Sequence, residues 1–283
     1  MYHSVKNSKM IEKILLFLQK ADKIVTRQQG KTVSWYKNGF KDKTDIVTQT
    51  DILISNLFHR FIKKNFDYLN YSIIDEESTK EENVLETDYQ FVIDPIDGTL
   101  PYSMNMPLYA LSIAVFKRRK PLYGFIYMPA TKELVYCDDK RVFFIEKAFQ
   151  KQQKKHTIPK NQKTQSNLIF DTLFFVKMND FILNANLICC SFFSSVVQFL
   201  YIVTARAQGS YFSGYLWDMA GAWPILYKLG FQIKNIENLS VITQIDKEHF
   251  DSNFHIKGVY IISKPDTFAV LKRIADVRKL PFF

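Results

Sequence analysis

Glycine is scarce in this chain, with nine in 283 residues, so each one marks a backbone position with few alternatives. Cysteine is scarcer: Cys137, Cys189 and Cys190 are all there is. Three thiols so placed make neither a disulfide framework nor a zinc site. Reduced thiols are expected, and with them a cytoplasmic protein. A secretory leader is not expected, because residues 1–9 are polar and the periodic segment after them is charged throughout. No basic stretch is interleaved with aromatics, which argues against a nucleic-acid module. Internal repeats and low-complexity tracts are missing too. One run lacks charge: residues 181–205 contain no Asp, Glu, Lys or Arg. Its length would suit a membrane span, but Asn184, Asn186, Ser191, Ser194, Ser195 and Gln198 are costly in lipid. A buried strand followed by a buried helix is expected instead, and no membrane partner.

What is present describes a soluble globular protein, 47% hydrophobic and 23% charged, long enough for one large domain or two small ones. The net charge of +10 favours anionic partners. The lysines are scattered as on a solvated surface, with one denser patch over residues 147–163.

The chain is organised around residues 91–99, F-V-I-D-P-I-D-G-T. Phe91, Val92 and Ile93 are strand formers. Pro95 cannot donate to a ladder, so the strand is expected to stop there. Asp94 and Asp97 follow on the turn, Gly98 opens the backbone, and Thr99 adds a hydroxyl. Such a turn can simply cap its own amides. It also suits Mg²⁺, which takes oxygen ligands from a few carboxylates, water and substrate phosphate.

Before this stretch, residues 10–26 have the spacing of an amphipathic helix, and residues 33–36 suit a short strand. Asp51 is expected to cap a helix running to about Lys64. Residues 71–74 form a strand closed by Asp75, Glu76 and Glu77. After it, strands are predicted over residues 109–116, 122–128, 132–137 and 142–145, in an antiparallel sheet. The polar residues 147–165 are the best candidate boundary. Beyond them the pattern alternates. Strands at 167–170 and 187–190 flank a helix, and a buried helix spans 194–205. A strand covers 208–215, a helix runs from Trp217 to about Leu229, and strands at 231–233 and 258–262 precede a helix at 266–277. The expected organisation is an N-terminal α+β half, residues 1–150, and a C-terminal α/β half, residues 151–283.

Four acidic spots stand at strand ends or helix starts: Asp51, Glu76, the Asp94/Asp97 pair and Asp218. In order, D-x-V-T-x-x-D (45–51), strand-E-E-S (73–78), D-P-I-D-G-T (94–99) and W-D-M-A-G (217–221) resemble the inositol monophosphatase family of Mg²⁺-dependent, lithium-sensitive phosphatases. Pro107 and Ser112-Ile113-Ala114 fit the same pattern. The resemblance implies a layered α-β-α-β-α sandwich. It implies that Glu76, Asp94 and the carbonyl of Ile96 hold one Mg²⁺, that Asp94, Asp97 and Asp218 hold a second, and that a third, weaker ion involves Glu76. Most metal ligands would come from the N-terminal half, while the C-terminal half would supply Asp218 and the substrate pocket. Asp51, Glu76 and Thr99 would be catalytic, with Thr99 orienting the attacking water. The amides of Gly98 and Thr99, together with Asp218, would contact the phosphate. The implied partner is a small phosphorylated metabolite, and relatives are commonly dimers, so a homodimer is within the expectation.

The chain departs from the family around the leaving group. Leu100 and Pro101 follow the catalytic Thr and are expected to shift its turn. Residues 139–149 lack a glycine-rich element common in relatives. Phe193-Ser194-Ser195-Val196 replaces G-S-A-A, and bulky Phe193 and Val196 are expected to reshape the pocket. Residues 210–215 lack the acid that binds inositol hydroxyls. The expected activity is hydrolysis of a small phosphate monoester by metal-activated water. The alternatives are a 3′-phosphoadenosine 5′-phosphate or fructose 1,6-bisphosphate phosphatase, or a catalytically impaired regulatory relative.

Overall fold

Alternation along the strands sets the layers of this molecule, because successive side chains point to opposite faces of a sheet. The computed structural model describes residues 2–37, 46–78, 84–164, 166–171 and 187–277. Helix α1 (Tyr2–Gln28) leads to the short antiparallel pair β1 (Ser34–Tyr36) and β2 (Ile46–Thr48), and then to α2 (Gln49–Phe66). Thr48, not Asp51, is the N-cap of α2; Asp51 sits three residues on and closes a capping box with it. Ile11, Ile14, Leu18 and Val25 of α1 are buried, as are Ile54, Phe58 and Ile62 of α2. These two apolar stripes make the outermost layer.

The first sheet has seven strands in sequence order. They are β3 (Tyr71–Asp75), β4 (Tyr89–Asp97), β5 (Ala110–Lys117), β6 (Lys120–Met128), β7 (Glu133–Cys137), β8 (Val142–Glu146) and β9 (Lys154–Ile158). Only β3 and β4 are parallel; the other pairs are antiparallel. Phe91, Ile93, Leu111, Ile113 and Val115 pack against α1 and α2. Val92, Ala114, Phe116 and Ile126 face the other way. Strand β9 lies within the stretch expected to be a polar boundary, and four of its five residues are exposed, so its composition resembles a linker.

The second sheet runs in the order β11-β10-β12-β14-β13. Its strands are β10 (Leu168–Asp171), β11 (Ile188–Cys190), β12 (Gly209–Phe212), β13 (Gln232–Asn235) and β14 (Tyr260–Ser263). Between the sheets lie α4 (Ser195–Val203), α5 (Leu216–Ala220) and α6 (Trp223–Lys228). The chain expected as one helix from Trp217 is thus two, broken at Gly221 and Ala222. Helix α7 (Pro265–Val277) covers the far face of the second sheet with Phe268, Leu271 and Ile274. The layers are therefore α-β-α-β-α. Helix α4 is apolar but for Ser195 and the buried Gln198, because it has a sheet above and below it. That accounts for the charge-free run from Leu187 onward, and no helix among the described residues is long and apolar enough to cross a membrane. The helix expected between residues 170 and 187 lies outside the described residues, as does Asp45.

Candidate active site

Strand β4 carries its apolar alternation one step past Ile93, so Asp94 points to the same face as Val92, toward the middle helices. The strand does not stop at Pro95. Its pairing with β5 jumps from Asp94 opposite Ser112 to Asp97 opposite Ala110, which is a bulge. Pro95 sits inside this bulge, where the ladder has no use for the N–H it lacks. The bulge re-aims Asp97. Gly98 then takes φ +87°, and a Cβ there would stand 2.7 Å from the carbonyl oxygen of Leu108 and 2.9 Å from Ser194 Cβ.

Thr99 opens α3 (Thr99–Ser103), held by the amide of Tyr102 donating to Gly98 O at 3.0 Å. Leu100 and Pro101 fit the first turn of this helix, where a missing N–H costs nothing. The Thr99 hydroxyl lies 3.0 Å from the carbonyl of Ile96 and 3.4 Å from Asp51 Oδ1. Asp51 Oδ2 is anchored by the Thr48 amide at 2.9 Å and by the Thr48 hydroxyl. The Thr99–Asp51 pair therefore survives the Leu100-Pro101 departure.

Asp218 arrives on α5 from the C-terminal half of the chain, 121 residues beyond Asp97. Ser112, directly opposite Asp94 in the sheet, donates to Trp217 O and accepts from the Gly221 amide, each at 3.1 Å. One buried serine thus pins both ends of the W-D-M-A-G turn against β5. Gly221 permits it, since a Cβ there would lie 2.6 Å from Phe125 O. The Tyr215 amide fixes Asp218 Oδ2 at 2.8 Å. With α5 so docked, one carboxylate oxygen each from Asp94, Asp97 and Asp218 lie within 4.8 Å of one another. Asp97 Oδ2 also accepts from the Ser194 hydroxyl and, at 2.6 Å, from the Val196 amide. The F-S-S-V segment is thereby an anchor for Asp97. The side chain of Val196 is buried in the central core, not in a pocket; Phe193 is exposed.

Glu76 follows β3, whose last residue Asp75 is buried and held by Ser55 at 2.5 Å, His59 at 2.9 Å and the Glu77 amide at 3.0 Å. The carboxylate of Glu76 is not in the close set of three. It pairs with Lys37 Nζ at 2.7 Å, and Glu77 pairs with the same ammonium at 2.9 Å. Burial opposes the charge of Lys37, yet the two carboxylates together hold it above the usual lysine range. Lys37 and Ser194 were not among the expected site residues. Lys37 gives no signal within its polar connection. Ser194 was legible as the serine ahead of an apolar helical run, the pattern of an N-cap.

The electrostatics follow from crowding in a dry place. Burial first, then the charge of Glu76 and then of Asp97, pushes Asp94 well above the carboxylate range. Burial and the charges of Asp97 and Glu76 do the same to Asp218. Asp97 is pushed up to about 7, mainly by burial. Burial also lifts Asp51 to about 7. Carboxylates this close repel one another unless a cation or a proton intervenes. Asp94 Oδ1 is buried and has no hydrogen-bond partner among the described residues. A donor set made wholly of oxygen, with one buried oxygen unpaired, fits a hard divalent cation.

Comparison with known proteins agrees with the fold. A family model described as "Inositol monophosphatase family" matches residues 6–274. Fructose-1,6-bisphosphatase of Pyrococcus furiosus is 35% identical over 80 residues, which are 28% of this chain and 31% of that protein. Inositol monophosphatase 1 of Saccharomyces cerevisiae is 32% identical over 128 residues, 44% of this chain and 43% of that one. The matches thus span less than half the length of these curated relatives. Among solved structures, an IMPase/NADP phosphatase complexed with Mg²⁺ and phosphate superposes with a TM-score of 0.74 at 15% identity, covering 95% of each chain.

Proposed function

Because the chain belongs to the inositol monophosphatase family, we propose that it hydrolyses a small phosphate monoester with Mg²⁺, using the acid cluster where β4 meets α5. The observation that carries this reading is the approach of Asp94, Asp97 and Asp218 to within 4.8 Å, with a buried oxygen of Asp94 left unpaired. In this reading those three carboxylates, together with Glu76 and the carbonyl of Ile96, hold two to three Mg²⁺ ions. Bound Mg²⁺ supplies charge neutralisation at the phosphate, a lowered pKa for the attacking water and support for the leaving oxygen.

The chain's own residues handle the proton and the orientation. A threonine hydroxyl has one proton, and Thr99 directs it to Asp51 Oδ1 or to Ile96 O. Its lone pairs are then free to accept a proton from a water. As the water oxygen bonds to phosphorus, its proton passes to Thr99 and that of Thr99 passes to Asp51. The ester P–O bond breaks, and the alcohol leaves with a proton from solvent. Asp51 suits the part of base: Oδ2 is fixed by Thr48, Oδ1 faces Thr99, and burial raises its carboxyl to about 7, which favours taking up a proton. Gly98 and Thr99 present backbone amides for phosphate oxygens at the start of α3.

The test is phosphate release from a panel of sugar, polyol and nucleoside monophosphates, with millimolar Mg²⁺ and with a chelator. Release that depends on Mg²⁺ is expected for at least one ester. Silence across the panel would contradict the reading.

A further inference from the structure

Resting on that phosphatase reading, we propose that Asp75 is a positioning residue for the metal site, and that with Ser55 and His59 of α2 it fixes where Glu76 meets Mg²⁺. Asp75 has no part in the proton path and does not belong to the close set of three carboxylates. It is fully buried all the same. A carboxylate taken out of water destabilises the fold unless its oxygens are hydrogen-bonded. The partners of Asp75 are arranged on both sides of Glu76.

The two oxygens have separate tasks. Oδ2 accepts from the Ser55 hydroxyl at 2.5 Å and lies 2.9 Å from His59 Nε2, which ties the end of β3 to α2. Oδ1 accepts from the Glu77 amide at 3.0 Å, the two-residue closure of an Asx-turn. Ser78 completes the far side. Its hydroxyl lies 3.0 Å from His59 Nε2 and 3.3 Å from Asp75 Oδ2, and its amide donates to the Asp75 carbonyl at 3.3 Å. Glu76 sits inside this turn. The sheet gives it little hold: the β3–β4 pairing ends with Asp75 opposite Ile93, and the Glu76 amide reaches the Ile93 carbonyl only at 3.5 Å. The turn built on Asp75, rather than the ladder, therefore sets the backbone of Glu76.

Helix α2 acts as the ruler. Asp51, Ser55 and His59 recur at intervals of four, so they share one face of the helix. Asp51, in the first turn, is the base of the reaction proposed above. Ser55 and His59, one and two turns further on, hold Asp75. Proton acceptor and metal ligand stand 25 positions apart in the chain, yet both are referred to this one rigid element. Removing a partner that orients a metal ligand from behind commonly weakens metal binding by about 10–100-fold.

Calorimetric titration of Mg²⁺ into the metal-free protein tests this without turnover. Asp75→Ala should weaken Mg²⁺ binding by about 10–100-fold. Ser55→Ala and His59→Ala should weaken it in the same direction, while His59→Gln, which keeps an N–H facing Asp75, should bind as the wild type does. Ile62→Val trims the buried face of the same helix without touching the turn. It should lower Tm and leave Mg²⁺ affinity unchanged. In turnover, the Mg²⁺ concentration for half-maximal rate should rise in Asp75→Ala by the same factor as the Kd. Wild-type affinity in Asp75→Ala or, should that variant fail to fold, in both Ser55→Ala and His59→Ala would overturn the proposal and leave the phosphatase reading standing. A loss in Ile62→Val as large as that in the Asp75, Ser55 or His59 variants would also overturn it, since general loosening of α2 would then explain both. A wild type that binds no Mg²⁺ would remove the phosphatase reading and the proposal with it.

Discussion

Thr99 and Asp51 show how much of the chemistry depends on single atoms. The hydroxyl can relay a proton only because Asp51 Oδ2 is tied to Thr48, leaving Oδ1 to face it. Thr99→Ala should lower kcat by about 10²–10⁴-fold, the usual range for loss of a general acid–base partner, with little change in KM. Thr99→Ser should keep most of the rate, and steady-state kinetics on the same ester would check both. Asp51 also ties stability to pH. Burial raises its carboxyl from the ordinary 3.8 to about 7, so the folded chain binds this proton more tightly than the unfolded one. Its contribution is fully present below pH 3.8 and is lost as pH rises through about 7. The chelated protein should therefore melt at a lower temperature at pH 8 than at pH 5. Asp51→Asn should reduce that dependence in a thermal melt without abolishing it, because burial raises Asp97 to about 7 as well. At this scale the acids were legible in the sequence, since each stands at a strand end or helix start, and Asp94 and Asp97 stand beside Pro95 and Gly98. Lys37 was not, because an ion pair formed with Glu76 and Glu77 across 39 and 40 positions has no local signature.

The elements depend on two glycines and a bulge. Gly221 lets α5 touch β5 and β6 through Ser112 and the Phe125 carbonyl, and a methyl group there would meet them at 2.7 and 2.6 Å. Gly221→Ala should cost about 1–3 kcal/mol, the usual range for overpacking, by denaturant titration. It should also weaken Mg²⁺ binding, because Asp218 rides on the displaced helix. Pro95 interrupts the ladder but does not end it, so the expected stop there is wrong. The strand continues to Asp97, because a bulge absorbs the missing donor. Local pattern reads where regular pairing fails but cannot tell an end from a bulge, which is decided by the partner strand. The break between α5 and α6 was hidden for a similar reason: Gly221 looks tolerable in a helix until its contact with β6 is known. Strand β9 was missed because an edge strand with its side chains in water has no apolar alternation to display.

Across the whole molecule, the five layers bring one acid pair from β4 to face another acid carried by α5 in the central layer. The continuous apolar runs of β4 and β5 and the largely apolar α4 can be read without coordinates, whereas the order of the layers was implied only by the family resemblance. The meeting of Asp94 with Asp218 cannot be read so directly, since it depends on Ser112 binding the far helix at both ends. A cluster assembled only in the folded state couples metal binding to folding. Mg²⁺ at a hundred times its Kd should then stabilise the protein by about 2.7 kcal/mol per independent site, visible as a rise in Tm that chelation reverses. The most direct test of the account is calorimetric titration of Mg²⁺ into metal-free wild type and into Asp218→Asn. The wild type should bind Mg²⁺ with stabilisation of the fold, and the variant should fold yet bind at least about tenfold more weakly. Equal Mg²⁺ affinity in the two proteins, or no binding by the wild type, would contradict it.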